Sequence, residues 1–177
     1  QMRDEQRLVR SLLDGKTHRK ATATLPHNLL RLYLSACQSR FFDQLLEQRL
    51  PNLQHLQDGD IAYKHDNGAC FQVEDAATEQ SRADRFEISP TAPLFGFKIL
   101  QATGKTGEVE QALLAEAGLT TDSWKQEKGL SMPGERRPLR VPLQQAAVSR
   151  ANPDDLILGF SLPKGSYATS VLLEIIK

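Results

Sequence analysis

The stretch PHNLLRLYLSACQSRFFDQLLEQRL, residues 26–50, constrains the rest of the chain more than any other. Apolar side chains recur at Leu30, Tyr33, Leu34, Cys37, Phe41, Phe42, Leu45 and Leu46, the three- and four-residue spacing of a helix face. Pro26 opens this helix and Pro51 ends it. A stripe so wide must be covered on several sides, so the helix is expected at the centre of a core. Composition permits one: 40% of the 177 residues are hydrophobic and 25% charged. The length suits one domain, or a domain and a piece of another.

Around that helix the pattern alternates between elements. Residues 4–14 place Leu8 with Leu12 and Val9 with Leu13, a short amphipathic helix that Gly15 stops. Ile61 and Tyr63, then Ala69, Phe71 and Val73, alternate in strand fashion around Asp66-Asn67-Gly68, whose Asn and Gly tolerate the positive φ of a hairpin turn. One or two helical turns are expected around Asp75–Arg82. RFEIS reads as a strand, PTAP as a turn and LFGFKIL as another strand. Thr106 is placed to cap a helix running through Leu114, with Gly118 as its stop. SMPGERRP reads as a breaker-rich link, LRVPL and DLILGFSL as strands, and TSVLLEIIK as a last helix. There is no internal repeat and no low-complexity tract. The order predicts an α+β fold in which helices pack with mixed or antiparallel strands.

Bulk charge excludes little and favours nothing. Lys plus Arg and Asp plus Glu are both 22, so only a local basic patch could recruit nucleic acid. The two cysteines, Cys37 and Cys70, form no spaced framework and read as reduced thiols of a cytosolic protein. There is no signal-peptide pattern, and no apolar run approaches the roughly 20 residues of a membrane helix. The opening Gln-Met-Arg has the character of mid-helix, as though the chain were part of something longer.

Several candidate sites can be weighed. Gly104-Lys105-Thr106 before a helix looks like a phosphate loop, but the glycine that such a loop needs five residues earlier is Ile99. A turn and an N-cap explain it better. His18, His27, His55 and His65 pair with no cysteine at ligand spacing, so no metal site is expected. No Gly-x-Ser-x-Gly elbow exists. Asp154-Asp155 reads as a solvated turn before a strand. Arg136, Arg137 and Arg140 gather three guanidinium groups that could fork onto phosphate oxygens, or pair with surface carboxylates. Lys16, Arg19 and Lys20 read as a solvated basic connector. Near the C-terminus, Pro163-Lys164-Gly165-Ser166-Tyr167 joins a strand to a helix. Tyr167 could stack on a base and Lys164 could meet a phosphate beside the helix N-terminus, or the two could simply bury a ring and snorkel.

Five stretches in order, LYLSACQSRFFDQLLEQR, GDIAYKHDNGACFQVED, FEISPTAPLFGFKI, GERRPLRVPL and FSLPKGSYATSVLLEI, resemble the TruD family of tRNA pseudouridine synthases. The resemblance covers nearly the whole chain from about Pro26. It implies an enzyme that isomerises a uridine in the D arm of tRNA to pseudouridine, with an aspartate nucleophile and neither metal nor organic cofactor. The family's nucleophile lies in a Gly-x-Lys-Asp-type motif that this sequence lacks. The chain therefore resembles the family's C-terminal half, and no catalytic residue is assigned in it. Residues 1–138 correspond to the inserted domain and 139–177 to the return into the catalytic domain. By resemblance, Tyr167 lines the target-base pocket, Gly165 allows close approach, and Phe160 and Leu162 support the strand. Arg136, Arg137 and Arg140, with Lys164, are expected to hold tRNA. The implied partners are tRNA and the N-terminal half of the same polypeptide, with no membrane and no small-molecule cofactor, in the cytoplasm. The chain alone is expected to be inactive. The other reading is a noncatalytic RNA-binding or interaction module derived from this scaffold. One position departs from the family pattern: Leu173 precedes Glu174, where an arginine is common.

Overall fold

Helix α3, His27–Arg49, is the spine of the structure, a computed structural model that describes residues 3–127 and 129–176. Its second half meets the expectation. Phe41, Phe42 and Leu45 are buried with Ala92, Phe95, Leu114, Trp124 and Leu139. Phe41 meets Phe95 and Trp124 edge-on, at 5.7 and 6.4 Å between ring centroids. The first half departs from it at Tyr33, which is exposed and whose hydroxyl donates to Glu5 at 3.3 Å. Glu5 lies on α1, Arg3–Leu13, which with the short α2, His18–Thr22, precedes the spine.

Against α3 lies a four-stranded antiparallel sheet in the order β2-β1-β3-β4. Its strands are β1 Ile61–Lys64, β2 Cys70–Gln72, β3 Ile88–Leu94 and β4 Glu135–Pro138. The first hairpin turns where Asn67-Gly68 predicts, with Gly68 at φ 76°. Helix α4, Ala76–Asp84, is capped by the Asp75 carboxylate, which accepts from the Thr78 amide (3.2 Å) and hydroxyl (2.6 Å). Between α4 and the sheet, Leu56, Ala62, Val73, Ala83 and Ile88 form a second apolar cluster.

Three expectations are corrected here. Pro90-Thr91-Ala92-Pro93 is not a turn but the middle of β3. The Pro90 carbonyl accepts from Leu139 N–H just past the end of β4, and Pro93 lies beyond the last pairing with β1. The missing amide protons thus fall past the ends of the neighbouring strands. The second strand expected at LFGFKIL is absent, and Phe95 instead enters the core. Thr106 is not an N-cap: α5, Gly104–Glu116, begins after Thr103, and the Thr106 hydroxyl donates to Asp60 at 2.7 Å. Gly118, at φ 67°, does end that helix.

After a 3-10 turn, Thr121–Trp124, the chain forms β4 out of residues expected to be a link. The expected LRVPL strand is irregular, and the chain pairs again only at β5, Gln144–Asn152, with β6, Asp155–Ser161. Pro153 and Asp154 make the turn between them. Helix α6, Ala168–Ile175, closes the described chain.

Candidate nucleic-acid interface

Strand β4 decides what the arginines can do. Successive side chains of a strand point to opposite faces, so Arg136 and Arg137 part company. Arg136 turns inward. Its side chain is 2% exposed, and Nη1 and Nη2 donate to the two Glu110 carboxylate oxygens at 2.6 and 2.8 Å. Its Nε donates to the Leu100 carbonyl at 2.7 Å. This corrects the expectation that Arg136 meets tRNA: the guanidinium is consumed inside the protein. Burial pushes the Glu110 carboxyl above its ordinary value, and the Arg136 hydrogen bonds and charge pull it back by less. A cavity of about 270 Å³ lies beside the pair, between Phe95, Ala102, Leu114 and Leu119.

Arg140 is also occupied. Its guanidinium lies 4.0 Å from the centroid of Phe86 and donates to the Ala83 carbonyl. Loss of solvent pulls its pKa down. Nearby, His65 bonds through Nε2 to Ser89 Oγ at 2.8 Å, and burial, aided by the Arg140 charge, lowers its pKa. The expected three-arginine cluster therefore splits. Arg136 fixes α5 to the sheet, Arg140 fixes the α4 end, and only Arg137 faces the C-terminal loop.

That loop is where the structure gathers expected residues. Arg137 Nη2 donates to the Gly165 carbonyl at 2.9 Å, and its guanidinium lies 5.4 Å from the Phe42 centroid and 5.8 Å from that of Tyr167. Gly165 has φ 89°, a conformation that favours glycine, with open space where a Cβ would project. Tyr167 is 67% exposed at the start of α6, so its outer ring face is free to meet a ligand. Lys164 is exposed beside it. Phe160 and Leu162 are half-buried on the β6 side of the loop and have no closed core of their own. Val148, Leu156 and Ile157 on β5 and β6, and Leu173, Ile175 and Ile176 at the end of the described chain, are exposed.

Sequence reasoning missed two parts of this arrangement. Phe42 was expected only as a core side chain, yet its ring also carries Arg137. Asp60 gave no signal at all. It is fully buried and accepts two hydrogen bonds from Arg49 (2.9 and 2.8 Å), one from Gln57 N–H (2.9 Å) and one from Thr106. Its partners are spread over 57 positions of sequence, so no local pattern marks it. Among the described residues, no three His, Cys, Asp or Glu side chains gather as a metal site, and no helix is long and apolar enough to cross a membrane.

The sequence matches the family model described as tRNA pseudouridine synthase D (TruD) over residues 1–175. The chain belongs to the TruD family. It is 60% identical over 176 residues to the tRNA pseudouridine synthase D of Syntrophotalea carbinolica, covering 99% of this chain and 44% of that protein. It is 54% identical over 149 residues to that of Geobacter sulfurreducens, covering 84% and 36%. The crystal structure of the TruD homologue from Methanosarcina mazei superposes with a TM-score of 0.73 at 27% identity, covering 98% of this chain and 44% of that one. The α+β fold is thus a TruD fold, and the chain spans less than half the length of the curated relatives it matches.

Proposed function

We propose that this chain is the C-terminal part of a tRNA pseudouridine synthase that isomerises a uridine in the D arm of tRNA. Residues 1–138 are its inserted domain, and 139–177 complete the catalytic domain. The observation that carries this reading is the 60% identity to a tRNA pseudouridine synthase D over 99% of the chain. The exposed apolar side chains from Val148 to Ile176 support the second boundary, because so much uncovered hydrocarbon favours contact with further polypeptide.

In the proposed reaction the uracil N1–ribose bond breaks, the base turns, and C5 bonds to the same ribose carbon, with C5 losing its proton and N1 gaining one. Substrate and product are isomers, so no external oxidant or reductant is required. The nucleophile comes from outside this chain. The absence of a Gly-x-Lys-Asp-type motif from the sequence supports that assignment. Tyr167 offers its exposed face to the extruded base, Gly165 keeps the backbone open to close approach, and Lys164 supplies a cation for the adjoining phosphate. The protein works on tRNA in the cytoplasm.

Tyr167 tests this reading in the full-length protein. Tyr167→Phe keeps the stacking face and retains most activity. Tyr167→Ala costs roughly 1–3 kcal/mol in the base-binding step, the range for one lost stacking contact. Its melting temperature changes little, because the ring is largely exposed. Intact turnover in Tyr167→Ala would remove the loop from the base pocket.

A further inference from the structure

We propose that Arg137 is the positioning residue for Tyr167: it clamps the strand-to-helix loop 163–167 onto α3 and thereby sets where the tyrosine ring is presented. The proposal rests on the reading of Tyr167 as the base-contacting side chain. It replaces a phosphate contact at Arg137 with an internal task.

Three contacts meet on one planar group. The Phe42 ring lies 5.4 Å from the guanidinium and is itself locked in the main core. The Tyr167 ring lies 5.8 Å away. The Gly165 carbonyl accepts from Nη2 at 2.9 Å. A guanidinium can offer its faces to rings while donating hydrogen bonds in its own plane, which a lysine ammonium cannot do. Little else fixes the loop locally. Ser166 N–H bonds to the Pro163 carbonyl at 3.1 Å, the Tyr167 side chain makes no cap hydrogen bond to α6, and Gly165 leaves the backbone permissive. An exposed tyrosine on such a loop samples many orientations unless something tethers it. Arg137 ties it to β4 and, through Phe42, to the spine helix.

The test uses the full-length protein with Arg137→Gln and Arg137→Lys. Amide hydrogen exchange at Ser166 and Ser170 is expected to quicken about tenfold in both variants, as local opening loses its charged hydrogen bond. The single-turnover rate at saturating tRNA is expected to fall about tenfold, while the tRNA Kd and its salt slope stay at the wild-type values. In a Tyr167→Ala background, adding Arg137→Gln is expected to cost no further rate, because the arginine acts only through the ring. A merely structural role would instead give an additive loss. Unchanged exchange would overturn the proposal, as would additivity. Full rescue by Arg137→Lys, with a shallower salt slope in Arg137→Gln, would return Arg137 to a phosphate contact. If Tyr167→Ala alone leaves turnover intact, the base-pocket reading fails, and the exchange rates still decide whether Arg137 holds the loop.

Discussion

Removing Arg136 in the full-length protein is expected to unmask a buried charge rather than a weakened RNA contact. Arg136→Met keeps most of the volume but leaves Glu110, 8% exposed, under the burial that already pushes its carboxyl up, with the Asp60 charge adding to it and only the Ala102 backbone hydrogen bond opposing it. Breaking a buried pair by losing one partner costs about 3–5 kcal/mol at neutral pH. With a urea m-value of about 2 kcal/mol/M, the unfolding midpoint falls by about 1.5–2.5 M. The cost depends on pH in a definite direction. Without Arg136 the folded-state pKa of Glu110 rises further above its unfolded value, so the folded form holds a proton that the unfolded form releases. Stability therefore drops as pH rises between the two pKa values and recovers as pH falls towards the ordinary carboxylate range. Urea titrations at pH 5 and pH 7.5 should show the variant much closer to wild type at the lower pH. Adding Glu110→Leu should regain most of the loss at pH 7.5, because it removes the orphaned charge. A pH-independent loss, or a variant as stable as wild type at pH 7.5 with weaker tRNA binding, would refute this account of the pair.

Further outcomes follow from neighbouring contacts. Asp60→Ala strips the acceptor from Arg49, Gln57 N–H and Thr106 at a fully buried point and should cost about 3–5 kcal/mol, read as a lower melting temperature. Gly96→Ala would drive a Cβ into the Gly134 backbone where Phe97 and Lys98 bond to Met132 and Pro133, and should destabilise by about 1–3 kcal/mol in the same melt. Gly159→Ala on β6, where an added Cβ would meet only the Ala147 carbonyl oxygen at an ordinary 4.0 Å, serves as the control and should melt with wild type.

What the sequence made legible was local chemistry. Asn67-Gly68 announced its hairpin, Gly118 its helix end and Asp154 its turn, because each depends on backbone preferences carried by a few adjacent residues. What it hid was direction. Pro90 and Pro93 looked like a turn because their cost depends on which neighbouring strand lies opposite, a fact set by Leu139 and by the end of β1. The arginine cluster failed for the same reason. Arg136 and Arg137 are adjacent in sequence but lie on opposite faces of β4, and the partner that claims Arg136 sits on α5, 26 positions away. Gln144–Asn152 lacks the alternation of a half-buried strand, being exposed throughout, so β5 left no pattern to read. The Pro163–Tyr167 loop was legible as a candidate site, whereas the arginine that touches it was legible only as charge.

As proposed above, this chain presents the base-contacting loop of a tRNA pseudouridine synthase, and the nucleophile lies elsewhere in the polypeptide. Forming a C–C glycosidic bond at uracil C5 displaces the hydrogen there, so a tRNA transcript tritiated at C5 reports the reaction directly. The full-length protein should release tritium from that transcript, and the 177-residue chain alone should release none at any concentration. Release by the isolated chain, or none from the full-length protein, would contradict the account.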